Sequence, residues 1–192
     1  MRTTWTVGKK LLTGIGILVG LLILSNSYTY FTEQQGADRF DTAVERAHKI
    51  RLAAKMKRLA FELYAGEKIL ILSGYDKDLK NYQTWLERNQ TAEKDYNAAA
   101  DQLAPLFKDQ SDIDALKKSR SLVNQWIENN KAVVALIDDA KFHDAQMLSR
   151  EKNKPLIDEN GTIIDKILDG QEAKLKVADE DGKAAEARSV WM

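Results

Sequence analysis

The sequence has no cysteine, two prolines (Pro105 and Pro155) and two histidines (His48 and His143) in 192 residues. The lack of cysteine excludes disulfides, thiolate metal sites, iron–sulfur clusters and covalently attached haem. The scarcity of proline leaves long stretches free to run as helix, and the abundance of Ala, Leu, Lys, Glu, Asp and Gln favours helices over sheets. An excess of charge of one sign is also missing, since 29 basic and 29 acidic residues cancel. Arg2, Lys9 and Lys10 precede the main apolar segment, so the remainder is slightly acidic, which gives no argument for a nucleic-acid partner. No glycine-rich phosphate loop, nucleophile elbow or His-Glu metal signature occurs. Carboxylates scattered through a charged helical chain are no evidence for acid–base chemistry. The expectation is a protein that is not an enzyme and that has no metal or cofactor.

What the sequence does contain is one long apolar run. Residues 11–24 read LLTGIGILVGLLIL, and no charged residue lies between Lys10 and Glu33. About 22 residues rising about 1.5 Å each span about 33 Å, enough to cross a hydrocarbon core of about 30 Å. Trp5 precedes the run, and Tyr28, Tyr30 and Phe31 follow it, where amphipathic rings favour the two membrane interfaces. The basic residues before it keep the N-terminus inside by the positive-inside rule, so the rest of the chain is expected outside the cytoplasm. A cleaved signal peptide is the rival reading, with Ser25-Asn26-Ser27 as a loose cleavage region. The absence of an A-x-A site and the run into helical sequence after Phe31 favour an anchor.

Four helical segments follow. The first continues out of the apolar run to about Ser73, with Leu52, Met56, Leu59, Leu63, Gly66 and Leu70 in one stripe, and Gly74-Tyr75-Asp76 as a turn. The second runs from about Asp76 to Phe107, with Trp85, Asn89, Ala92, Tyr96, Ala99, Leu103 and Leu106 inward. The third starts near Ser111-Asp112 and carries Ile113, Leu116, Arg120, Val123, Ile127, Asn130, Val134 and Ile137. The fourth runs from about His143, with Ile157, Gly161, Ile164, Leu168, Gln171, Leu175, Ala178, Gly182 and Ala185 in its stripe. Steps alternating between three and four on four consecutive segments describe an all-α, antiparallel up-down four-helix bundle, preceded by one transmembrane helix. The expected organisation is a cytoplasmic N-terminus over 1–10, a transmembrane helix over 11–31 and an extracytoplasmic bundle over 32–190. That bundle ends where Trp191 would begin a second span.

The basic start, the GKKLLTGIGIL entry at 8–18, and the turn from Ala135 through Ala145 followed by Pro155 resemble the N-terminal part of methyl-accepting chemotaxis proteins with four-helix-bundle sensor domains. The resemblance implies the extracytoplasmic ligand-sensing portion of a transmembrane signal transducer in the cytoplasmic (inner) membrane, acting as a homodimer. Its partner would be a small molecule or a periplasmic binding protein. Such receptors continue through a second span into a cytoplasmic signalling region, and this chain carries neither. The same bundle also occurs on histidine kinases and cyclic-dinucleotide enzymes, and a membrane-tethered adaptor bundle is a further alternative.

The candidate ligand-binding residues are Arg51, Lys55 and Arg58. They lie on one helical face within an acid-free run from Arg46 to Phe61 that also holds Lys49 and Lys57. Like charges four residues apart cost about 0.2–0.5 kcal/mol per pair, so something should compensate them. An anionic small molecule at a groove or dimer interface would do so, since guanidinium groups suit carboxylates. Interhelical ion pairs with Asp165, Asp169 and Glu172, which share the same spacing on the fourth segment, would do so without a ligand. Asn89, Arg120 and Asn130 interrupt the apolar stripes, where they would either line a pocket or fix register. His48 and His143 read as separate surface residues, and Trp85, Trp126 and Tyr96 as packing.

Overall fold

The computed structural model describes residues 7–189, with side chains described over 40–183 except Asp181 and at scattered positions before residue 40. Every element is helical, and no strand occurs among the described residues. Helix α1 spans Val7–Tyr75, α2 Leu79–Leu103, α3 Gln110–Asp138, α4 Phe142–Leu148 and α5 Lys154–Ser189. A 3₁₀ turn at Ala104–Leu106 follows α2, and a π-turn at Ser149–Asn153 joins α4 to α5.

Each break has a local cause. After α1, Lys77 adopts φ 59°, and the Asp78 carboxylate accepts the Asn81 backbone N–H at 3.1 Å to cap α2. Gly74 sits against Ile137, and a Cβ there would collide with that side chain, so the glycine lets the end of α1 approach the end of α3. Pro105, which lacks an N–H, falls in the 3₁₀ turn that closes α2. Helix α3 ends where Ala140 takes φ 59° and the Lys141 N–H returns to the Leu136 carbonyl at 2.8 Å. The expected fourth segment is therefore real from Phe142 onward, but the π-turn interrupts it.

The chain divides into two compact units, Met1–Val44 and Glu45–Met192. The first is helical from Val7. Most side chains of the expected membrane span, 11–31, lie outside the described residues, as do Val190–Met192, where a second span was expected to begin. Among the described residues no helix is long and apolar enough to cross a membrane.

The second unit holds the core. All of Leu52, Met56, Leu59, Leu63, Gly66 and Leu70 are buried, as the first stripe requires. On α2 the stripe from Asn89 to Leu103 is buried, with Trp85 and Leu106 half-buried at its ends. On α5 the expected stripe is buried at Ile157, Ile164 and Gln171. Asn160, Ile163 and Ile167 are buried as well, while Gly161 and Leu168, both expected inside, are half-buried. The buried face of α5 is thus wider than a single three-and-four stripe, because the helix meets both α1, through Lys57 and Asp165, and α3, through Ser119 and Asn160. Each fully buried Leu or Ile contributes about 1.5–3 kcal/mol relative to exposure.

The buried apolar residues fall into two clusters. The larger gathers Leu52–Leu63 of α1, Ala92–Leu103 of α2, Leu116–Ile127 of α3 and Ile157–Ile167 of α5. The smaller contains Leu70, Tyr82, Val133, Ile137 and Ala145.

Candidate binding site: a polar belt between two apolar clusters

Between those clusters the inward positions of the helices are polar. Glu67 of α1 is fully buried and lies one residue after Gly66. Its carboxylate accepts hydrogen bonds from the Ser149 hydroxyl and the Asn153 amide, which form the two ends of the π-turn. The turn thus presents two donors, four residues apart, to one acceptor. Lys68, half-buried, donates to the Ser149 hydroxyl at 2.5 Å and lies 4.8 Å above the Tyr64 ring. The Glu67 charge therefore has an ammonium group one hydroxyl away. Burial pushes the Glu67 carboxyl above its ordinary value, against the opposing pull of Ser149, Asn153 and Lys68.

Asn89 of α2 is also in the belt. Its side chain lies directly on Gly66, where a Cβ would collide with it. Neither its amide nitrogen nor its oxygen has a hydrogen-bond partner among the described residues. The same holds for the Trp126 indole nitrogen, Asn130 Oδ1 and Asn153 Oδ1. On α3, Trp126 and Asn130 lie seven and eleven residues beyond Ser119, which bonds Asn160 at 2.6 Å, so they reach the level of Asn153 and Ser149.

A second polar group lies about two turns away. The Tyr96 hydroxyl sits 2.7 Å from Ser119 Oγ and donates to Asn160 Oδ1 at 3.1 Å. All three residues are fully buried, and the Tyr96 hydroxyl is pushed up to about 12, chiefly by burial. This triad is nearly self-sufficient, with only the Asn160 amide nitrogen unpartnered among the described residues.

The basic face of α1 is arranged differently. Arg51 is exposed, with Nη2 2.9 Å from His48 Nδ1; Lys55 is half-buried; Arg58 is exposed and pairs with Glu62 at 3.3 Å. Lys57, outside the candidate set, makes the interhelical pair with Asp165 at 2.5 Å. Of the three candidates only Arg58 lines the open groove between α1 and α2, beside Glu62, Glu87, Arg88 and Asp95. Arg120 reaches Asp101 at 2.7 Å, so it turns outward to an ion pair, beside an open groove on α3 that it lines with Lys117, Ser121 and Asn124. His143 is exposed, and no cluster of three or more His, Cys, Asp or Glu suited to a metal occurs among the described residues.

No family model and no curated protein matches the chain. Sequence patterning singled out Asn89 and Asn130 but passed over Glu67, Ser149, Asn153 and Asn160. The available signal was the pair Ser149 and Asn153, which continue the fourth stripe backward from Ile157 in steps of four toward Ala145.

Proposed function

We propose that the chain is the ligand-sensing portion of a chemoreceptor-like transmembrane signal transducer, anchored by its N-terminal apolar run and acting as a homodimer outside the cytoplasm. The observation that carries the reading is that one helical element, Val7–Tyr75, contains both the uncharged run and the buried stripe Leu52–Leu70. A helix that both anchors and packs is what a sensor needs to pass a displacement along its axis.

The sensor would be an antiparallel up-down four-helix bundle. Paired residues support this: Ser73 with Asn81, Lys57 with Asp165, Tyr96 with Ser119 and Asp112 with Gln171. Their numbers rise along one helix as they fall along its partner in Glu62–Arg88, Tyr82–Asp138 and Lys118–Glu159 as well.

The homodimer reading has its own support. Ala47, Arg51, Ala54, Arg58, Phe61 and Ala65 follow steps of three and four on the face of α1 away from its buried stripe, Leu72 lies two turns further along it, and Phe61 and Leu72 are 70% and 58% exposed. A second copy applied along that stripe would cover both side chains and bring Arg51 and Arg58 to the seam, where a carboxylate-bearing ligand would neutralise them. Lys55 would flank that seam.

Because the chain has no cysteine, single cysteines report contacts cleanly. With Ala54→Cys or Phe61→Cys in membranes, mild oxidation should yield a disulfide-linked dimer, at a rate altered by the ligand that the receptor senses. Asn124→Cys on exposed α3 should not cross-link. Equal cross-linking at all three positions, or none, contradicts the seam.

A further inference from the structure

We propose that the belt formed by Gly66, Glu67, Asn89, Trp126, Asn130 and Asn153 is an interior binding site for a small uncharged molecule carrying both hydrogen-bond donors and an acceptor, of the carboxamide type. The inference deepens the sensor reading by giving it a second, uncharged ligand class, distinct from the anion at the α1 seam.

Three observations converge on this level of the unit. The apolar core is interrupted here and resumes on both sides. The helix carrying Ser149 and Asn153 opens into a π-turn here, a feature that recurs at functional sites. Five buried polar atoms here have no partner among the described residues: both amide atoms of Asn89, Trp126 Nε1, Asn130 Oδ1 and Asn153 Oδ1. Asn89 and Trp126 are themselves more than nine-tenths buried, at 4% and 1% exposure. Each such atom left unsatisfied costs about 1–3 kcal/mol. Five together would consume a stability that totals only about 5–15 kcal/mol for a whole domain. Bound water or a polar guest removes that cost, and the two differ in the response to acetamide tested below.

The chemistry of the guest follows from the groups it must meet. Trp126 Nε1 and the Asn89 amide nitrogen can only donate, so the guest needs an acceptor. The three asparagine oxygens accept, so it also needs N–H or O–H donors. Its charge is set by Glu67, whose carboxylate is already balanced by Lys68 through Ser149. A cation would face Lys68, and an anion would face Glu67. A neutral molecule with a carbonyl and an NH₂ group satisfies both sets at once. Gly66 contributes by having no side chain, since a Cβ would displace the Asn89 amide from this level.

The test uses the full chain in detergent or nanodiscs, with acetamide as probe and N,N-dimethylacetamide, which lacks N–H donors, as control. The four tryptophans give four indole N–H resonances, and Trp126→Phe assigns the relevant one. Acetamide should move the Trp126 resonance saturably, while the dimethyl compound leaves it in place. Asn89→Ala and Asn130→Ala should each weaken acetamide binding at least tenfold, with the Trp85 resonance unmoved as a check on the fold. A Trp126 resonance that ignores acetamide, or follows both compounds equally, overturns the proposal and leaves hydration as the belt's only occupant. The cysteine cross-links above do not depend on the belt, so failure of the interior site and failure of the sensor reading can be told apart.

Discussion

Glu67 and Asn153 are 86 residues apart in the chain and meet in its core, where the asparagine amide donates to the glutamate carboxylate at the end of a π-turn. The contact ties α1 to the start of α5 at the level where the apolar core is interrupted. A carboxylate removed from water is costly unless its hydrogen bonds are made, so this contact and the one from Ser149 hold the local conformation as well as the charge.

Stability should depend on pH through this residue. Burial raises the Glu67 carboxyl above 4.5, so the folded state binds the proton more tightly than the unfolded one. Its contribution to stability is fully present below pH 4.5 and is lost as the pH rises through the raised value. Glu67→Gln cannot titrate. The stability of wild type minus that of the glutamine variant should therefore be greatest at acid pH and fall toward neutrality, by about 1.4 kcal/mol for each unit by which the carboxyl is raised. Denaturant titrations at several pH values measure it, and a difference independent of pH would contradict the assignment.

Gly66 and Asn89 should behave as a coupled pair. Replacing glycine by alanine in a helix interior ordinarily stabilises by up to about 1 kcal/mol. Here the new Cβ would collide with the Asn89 amide, so Gly66→Ala should instead destabilise by about 1–3 kcal/mol. In the Asn89→Ala background the same change should become neutral or stabilising. Strictly additive effects in the double-mutant cycle would show that the two side-chain positions do not compete.

At the end of α3 the expectation is a gain. Ala140 holds φ 59°, where a Cβ is unfavourable and glycine is not. Ala140→Gly should raise stability by about 0.5–1 kcal/mol, read as a higher melting midpoint, since the exposed side chain makes no buried contact to lose.

The basic face should separate its two possible roles on charge reversal. Arg51→Glu with Arg58→Glu removes one intrahelical pair, Arg58 with Glu62, which at this exposure stabilises by no more than about 0–1 kcal/mol. The fold should survive, while calorimetry against a panel of small carboxylates should lose any binding that wild type exhibits. Undiminished carboxylate binding would remove these arginines from the site.

Helix positions were legible because the apolar spacing on α1 and α2 keeps one phase, from Leu52 to Leu70 and from Asn89 to Leu103. Breaks were legible where Gly74 and Pro105 mark them. The belt was not, for two reasons. Glu67 follows Gly66 in a charged helix, and nothing local distinguishes a carboxylate that will be buried from one that will face water; only Ser149 and Asn153, 82 and 86 residues away, make its burial tolerable. Asn160 in turn sits one residue before Gly161, off the strict three-and-four stripe read from Ile157, and α5 buries a face wide enough to include both Ile163 and Ile164. The ion pairs were half legible: the pattern singled out Asp165 as a partner for the basic face, but its partner is Lys57 and not one of the three aligned cations.

The most direct test of the sensor account is the side of the membrane on which the helical unit lies. Asn124 is exposed on α3, and the chain's lack of cysteine makes Asn124→Cys its only thiol. A membrane-impermeant maleimide added to intact cells, with the outer membrane permeabilised where one is present, should label this residue as fully as in lysed cells. Labelling that appears only after lysis would place the unit in the cytoplasm and contradict the account.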